Sequence, residues 1–126
     1  GGPGKPDGLD IGYFVKPTVF SGVSNDMTIA QEEIFGPVLT MISFDTEEQA
    51  IEIANDTPYG LAAYFSTASE ERAARVASQL RAGMMSVNSA SQNYTAPFGG
   101  YKQSGNGREW GEFGFDDFLE IKGITR

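Results

Sequence analysis

The 126-residue chain contains neither cysteine nor histidine. Without cysteine it can form no disulfide and no thiolate metal site, and the sequence leaves its redox compartment open. Without histidine it lacks the commonest general base, the commonest transition-metal ligand and any Ser-His-Asp triad. Catalysis by this chain alone would therefore depend on Glu, Asp, Lys, Tyr or Ser side chains.

Basic residues and long apolar runs are also scarce. The chain has 9 Lys and Arg against 17 Asp and Glu, which gives a formal net charge of -8. A surface of this charge repels nucleic acid and anionic membranes, so we expect neither as a partner. No window approaches the ~18 apolar residues of a spanning helix, and no signal segment follows a basic start. We expect a cytoplasmic protein, and the start at Gly-Gly-Pro-Gly instead of Met indicates an internal cut in a longer chain.

The apolar pattern alternates between strand and helix signals. It predicts strands at residues 13–20, 38–44, 61–66, 84–88 and 119–125, helices from Thr46 to the Pro58-Tyr59-Gly60 stop and over residues 69–81, and helical turns near 27–31 and 110–115. The near-continuous apolar run at 38–44 predicts a strand buried on both faces. The order strand, helix, strand, helix, strand predicts an α/β fold with part of an open, mostly parallel sheet.

Local signals mark the ends of these elements. Thr46 and Gln49 have the spacing of a capping box at the start of the first helix. Gly83 lies just past the second helix, where we expect it to form the C-cap. Asn88 ends a predicted strand, and we interpret it as the start of an Asx turn. Acidic residues in the first helical turns complement the helix dipoles, so we interpret them as solvated and expect no metal site.

A first motif, QEEIFGPV at residues 31–38, places two acidic residues directly before Ile-Phe-Gly-Pro. It has two interpretations. One is a helix end with solvated acids and a core Phe. The other is a binding site in which a carboxylate accepts hydrogen bonds from a sugar diol while the aromatic ring packs beside a flat ring.

A second motif, PFGGYKQSGNGRE, fills residues 97–109 within a long loop at 89–109. Loops of this length in a small domain are usually functional. The spacing of its Gly, Lys and Ser residues does not match a Walker motif, so we interpret Lys102 and Arg108 as structural residues. The preceding stretch, 89–96, carries no charge, and Tyr94 is its one large side chain.

Both motifs resemble segments of the NAD(P)-dependent aldehyde dehydrogenases, and the resemblance extends over residues 1–126. It implies that Glu33 binds the nicotinamide ribose hydroxyls of NAD or NADP and that Phe35 lies beside the nicotinamide, whereas Glu32 serves structure. It also implies that Phe98 lines the substrate tunnel, although a core role for Phe98 is the alternative. A wall of Tyr94 and Phe98 would suit an uncharged or aromatic aldehyde.

The resemblance also implies that part of the enzyme is missing from this chain. The family oxidises an aldehyde to the carboxylic acid through a cysteine thiohemiacetal and thioester, with a glutamate as general base, so we expect both catalytic residues before residue 1. Residues 1–117 would be the C-terminal part of the catalytic domain and 118–126 the last strand of an oligomerisation arm, through which we expect a homo-oligomer. Residues 119–125 would equally suit the protected edge of a monomer. The rival to the enzyme is a free-standing, non-catalytic α/β module that binds a partner or a sugar-like ligand.

Overall fold

Short parallel strands and two longer helices dominate the fold, which a computed structural model describes over residues 1–126. In chain order the elements are β1 (Thr18–Phe20), α1 (Thr28–Gln31), β2 (Val38–Thr40), α2 (Glu47–Asn55), β3 (Ala62–Phe65), α3 (Glu70–Gln79), β4 (Met84–Val87) and two 3-10 helices (Lys102–Ser104 and Phe113–Phe118). The chain divides into two units, residues 1–56 and 57–126. Each unit has one two-stranded parallel sheet, β1 with β2 and β3 with β4. The predicted α/β class with parallel strands is therefore confirmed, with the strands in two sheets.

In the first unit, proline limits the length of the sheet. β1 begins at Thr18, directly after Pro17, which has no N–H to give to a ladder. Residues 18–20 pair in register with 38–40. The expectation of a strand buried on both faces at 38–44 is wrong. β2 ends at Thr40, although Met41 N still donates to Phe20 O at 2.8 Å, and the Leu39 side chain is 58% exposed because nothing in the chain covers it.

The helix α2 starts where the sequence predicts, with a small change in its cap. The Thr46 hydroxyl accepts a hydrogen bond from Gln49 N at 3.1 Å, which satisfies one of the free N–H groups of the first turn. The Gln49 side chain accepts from Asp45 N at 2.6 Å, one residue before the position that a capping box uses. The two bonds together fix the chain on both sides of Thr46.

The second unit contains two parallel strands, β3 and β4, that are joined by the helix α3. The Ser69 hydroxyl caps α3 by accepting from Arg72 N at 3.2 Å, and Val76 on this helix is buried. Residues 62–65 pair with 84–87 in parallel register. The connection through α3 is the expected crossover between parallel strands.

Gly83 does not form the C-cap of α3, contrary to the expectation. The helix ends at Gln79, and Leu80 already has extended backbone angles. Gly83 instead donates its N–H to Gly60 O at 3.0 Å, and a Cβ at this position would overlap the carbonyl group of Gly99. Glycine is required here by close approach of two backbone segments, not by a left-handed turn.

The predicted terminal strand at 119–125 does not form within this chain. Leu119 follows the 3-10 helix Phe113–Phe118 with extended backbone angles, but no segment pairs with residues 119–126. A strand is defined by a partner that takes up its N–H and C=O groups, and this chain supplies none. Pairing of residues 119–125 with another subunit stays a prediction. The boundary at 117/118 between the catalytic domain and the oligomerisation arm also stays a prediction. None of the helices is both long enough and apolar enough to cross a bilayer.

Candidate functional site

The acidic pair of the first motif lies just outside a helix. The helix α1 ends at Gln31, and Glu32 already has extended angles (φ -99°, ψ 142°). The Gln31 amide anchors this end by donating to the backbone oxygens of Asn25 at 2.6 Å and Asp56 at 2.9 Å. Glu32 and Glu33 follow with exposed side chains. Both acidic side chains are therefore solvated, as the interpretation of this motif as a helix end predicts.

Phe35 is not a core residue. Its ring is 93% exposed, and its φ of 53° lies in the left-handed region that a residue with a Cβ seldom occupies. Two residues on, Pro37 O accepts from Thr18 N at 2.9 Å, so the turn leads directly into the β1–β2 ladder. The backbone thus holds a large apolar ring in solvent at a fixed point next to a sheet. Strain of this kind is found most often at functional sites.

The segment offers two groups to a ligand. The Glu33 carboxylate makes no hydrogen bond or ion pair with another residue of the chain and can accept from two hydroxyls at once. The Phe35 ring offers a flat apolar face. A carboxylate can accept from the hydroxyls of a sugar diol, and an aromatic face can pack against a planar ring. No group of three or more Asp and Glu residues is placed to hold a metal ion.

The second motif, residues 97–109, forms a Gly-rich loop that is held by hydrogen bonds to backbone oxygens. Phe98 and Glu109 exchange two N–H···O bonds of 2.7 Å in an isolated antiparallel bridge. Arg108 donates to the carbonyl oxygens of Gly100 at 3.0 Å and Gly107 at 2.7 Å, and its guanidinium lies 5.4 Å from the centre of the Tyr101 ring. Lys102 likewise donates to Thr57 O at 2.9 Å. These contacts support the structural interpretation of Lys102 and Arg108.

Three aromatic rings meet where this loop closes. The Trp110 ring lies 4.9 Å from that of Tyr94 and 4.7 Å from that of Phe98, centre to centre, tilted by 52° and 41°. Phe98 is half-buried, and Tyr94 is 67% exposed. The structure therefore brings the two predicted tunnel residues together through a third residue that sequence reasoning missed. The sequence carries no signal for this contact, because it depends on the Phe98–Glu109 bridge that precedes Trp110.

A cavity of about 500 Å³ lies beside this cluster. The strands β3 and β4 form one side of it, the loop at residues 90–97 forms another, and Trp110 contributes to the lining. Apolar side chains such as Met84 and Pro97 predominate, and Ser86 adds a hydroxyl whose hydrogen bond goes to Ala90 O at 3.2 Å. The cavity is suited to an apolar group.

Asn88 does not begin an Asx turn. Its side-chain oxygen accepts from Thr67 N and its amide donates to Thr67 O, both at 2.9 Å. With φ at 55°, Asn88 leaves β4 in a left-handed turn while its side chain pairs with the backbone beyond β3. The Asn88 side chain thus adds one hydrogen-bonded pair beyond the ends of β3 and β4, at the point where the loop of residues 89–109 begins.

The comparisons with known proteins agree over nearly the whole chain. The model of the aldehyde dehydrogenase family matches residues 1–124. A 3-succinoylsemialdehyde-pyridine dehydrogenase from a Pseudomonas species is 60% identical over 124 residues, which are 98% of this chain and 26% of that protein. The chain therefore spans only about a quarter of the length of such curated relatives.

Solved structures give the same result. Aldehyde dehydrogenase C from Pseudomonas syringae, in complex with NAD+ and octanal, superimposes with a TM-score of 0.92 at 54% identity, covering 95% of this chain and 25% of that one. The Mycobacterium tuberculosis aldehyde dehydrogenase in complex with NAD+ gives 0.86 at 49% identity, with 98% and 27% covered. Since sequence and fold agree over almost every residue, the chain belongs to the aldehyde dehydrogenase family.

Proposed function

We propose that this chain is part of an NAD(P)-dependent aldehyde dehydrogenase that oxidises an aldehyde to its carboxylic acid. The chain contributes residues that place the cofactor and line the path of the aldehyde. The family's thiohemiacetal and thioester would form on a cysteine outside this chain, and the general base would lie outside it as well. Support comes from the family membership and from relatives solved with NAD+, one of them also with octanal.

The observation that carries the proposal is the exposed Phe35 ring in left-handed backbone beside a free Glu33 carboxylate. An isolated structural turn gains nothing from a solvent-exposed aromatic ring in a strained position, whereas a binding site gains a fixed apolar face. When bound, NAD(P)+ would accept hydride from the substrate. Glu33 would hold the ribose hydroxyls and Phe35 would limit where the attached ring can lie.

Tyr94 and Phe98 would line the approach of the aldehyde. They lie in a loop whose residues 89–96 carry no charge, and both contact the apolar indole of Trp110. An anionic tail would lose its hydration there without gaining a partner, which is costly. The proposed substrate is therefore an aldehyde with an uncharged or aromatic tail.

A homo-oligomer and a cytoplasmic location complete the proposal. The backbone of residues 119–126 pairs with no strand of this chain, and Ile121 and Ile124 are exposed, which supports pairing with a second subunit. Cell fractionation followed by size-exclusion chromatography of the full-length enzyme tests both statements.

A direct activity assay tests the main proposal. The full-length enzyme is mixed with NAD+ or NADP+ and a panel of neutral, aromatic and anionic aldehydes, and reduced cofactor is followed by absorbance. We expect turnover with neutral or aromatic aldehydes. The 126-residue chain alone is the control and should be inactive because it has no cysteine. Cofactor binding without turnover in the full-length protein would favour a non-catalytic module instead.

A further inference from the structure

Trp110 is the one residue whose ring contacts both Tyr94 and Phe98, with ring centres 4.9 Å and 4.7 Å away. The chain has no second tryptophan. Centre distances in this range with tilted planes are those of directly packed aromatic pairs. Any change in the size of the indole must therefore change the positions open to both neighbours.

The backbone around Trp110 is fixed independently of its ring. Trp110 itself has a φ of 63°, and Gly111 follows with a φ of 57°. A Cβ at Gly111 would lie 2.5 Å from Thr95 O, so the two segments touch backbone to backbone. The Phe98–Glu109 bridge closes the same pair of segments one residue before Trp110. The indole thus projects from an anchored point.

Tyr94 has an anchored backbone, and its ring packs against that of Trp110. The Asn93 side-chain oxygen accepts from Thr95 N at 3.0 Å and from the Thr95 hydroxyl at 2.7 Å, which forms an Asx turn around Tyr94. The Tyr94 ring remains 67% exposed. Its direction is therefore set by Trp110 more than by burial.

We propose that Trp110 is a positioning residue that holds Tyr94 and Phe98 apart at a fixed spacing and so selects which aldehyde tails can enter. The inference rests on the proposed function, because it concerns the same approach to the site. In this proposal Trp110 touches neither the cofactor nor the reacting atoms. It acts through the two rings, and its place in the lining of the 500 Å³ cavity lets space released by a smaller side chain open toward that cavity.

The test compares Trp110→Ala and Trp110→Phe in the full-length enzyme with Phe115→Ala as the matched control. Phe115 is an exposed aromatic residue in the following 3-10 helix and has no part in the cluster. For each variant kcat/KM is measured with acetaldehyde and with phenylacetaldehyde, together with the Kd for NAD+ and the melting temperature. The decisive quantity is the ratio of the two kcat/KM values.

We expect Trp110→Ala to shift this ratio toward phenylacetaldehyde by about tenfold, the scale of a lost apolar contact in a specificity pocket. Trp110→Phe should restore most of the wild-type ratio, and the Kd for NAD+ should not change. A merely structural role would lower the melting temperature and leave the ratio at the wild-type value. That result would overturn the proposal.

A double-mutant cycle decides the question if Trp110→Ala does not fold. Trp110→Leu, which removes the ring but keeps an apolar side chain, and Tyr94→Ala are then combined, and their effects on the ratio are compared with those of the single variants. Non-additive effects support positioning through Tyr94, and additive effects overturn it. A wild-type enzyme without aldehyde turnover would count against the proposed function itself, whereas normal turnover with an unchanged ratio counts against Trp110 alone.

Discussion

At the residue scale, the strained backbone positions coincide with the proposed site segments. The residues other than glycine with positive φ are Phe35, Asn88, Ser89, Lys102 and Trp110. Each such position costs on the order of 1–3 kcal/mol and persists only where the surroundings enforce it. Phe35 precedes β2, Asn88 and Ser89 follow β4, and Lys102 and Trp110 lie in or beside the Gly-rich loop. The strain is concentrated at turns that present side chains, and the helices α2 and α3 contain none of it.

Glu33→Gln in the full-length enzyme should slow hydride transfer far more than it weakens NAD+ binding. The amide keeps the shape of the side chain but replaces one acceptor oxygen with a donor, so the ribose is held less well. Misplacement of a reacting group by about 1 Å can cost on the order of a hundredfold in rate. The measurement is single-turnover formation of reduced cofactor at saturating NAD+.

The matched control for this prediction is the adjacent acid. Glu32→Gln removes the same charge one residue earlier, in extended backbone directly after α1. It should leave the single-turnover rate close to that of the wild type. Equal rates for the Glu33 variant and the wild type would remove Glu33 from the site.

The sequence predicts candidate site residues that lie in a recognisable motif, and it misses a candidate that only the fold brings close to them. The roles of Glu33, Phe35 and Phe98 are predicted from the resemblance of their two motifs to the aldehyde dehydrogenases, and Tyr94 from its place in an uncharged loop. Trp110 escaped because its two ring contacts are made between loop residues, which follow no helical or strand period. The left-handed angle of Phe35 could not be foreseen either, since no residue type signals it as glycine does.

At the element scale, the helix starts are predicted well, whereas the local signals at Gly83 and Asn88 are misleading. Thr46 and Ser69 each accept a backbone N–H at a helix start, and both helices begin one residue later. The features predicted worst depend on partners: β2 is shorter than its apolar run, and residues 119–126 form no strand. An apolar run in the sequence indicates that a segment can be buried. Whether the segment is buried depends on the elements that pack against it.

Gly83→Ala should destabilise the second unit, because its Cβ has no space beside Gly99. Overpacking against backbone costs about 1–3 kcal/mol. We expect a clear fall in the thermal midpoint of the full-length enzyme, and weaker activity since Gly99 adjoins Phe98. Gly36→Ala is the control for stability: a Cβ there meets nothing within 4 Å, and the midpoint should not move. Equal midpoints for the two variants would show that the backbone approach at Gly83 is not tight.

At the scale of the whole molecule, the chain has a small core and much exposed apolar surface. The buried hydrophobic residues are Val23 and Val76, one in each unit. Large apolar side chains outside the proposed cofactor segment with at least four fifths of their surface exposed include Ile11, Tyr13, Phe118, Ile121 and Ile124. Exposed apolar area of this extent is typical of surfaces that contact other protein. It agrees with a chain that spans 26% of the length of its curated relatives.

The 126-residue chain should therefore self-associate in solution, chiefly through its C-terminal segment. Residues 119–126 have unpaired backbone, and Ile121 and Ile124 are exposed, so two copies can pair edge to edge. The net charge of -8 opposes association, but at physiological salt its repulsion is screened beyond about 8 Å and does not act against touching edges. Deleting residues 118–126, or changing Ile121 and Ile124 to Ser, should shift the population toward monomer in light scattering. Glu120→Gln, which keeps both apolar side chains, should not do so, and a purely monomeric parent chain at high concentration would contradict the prediction.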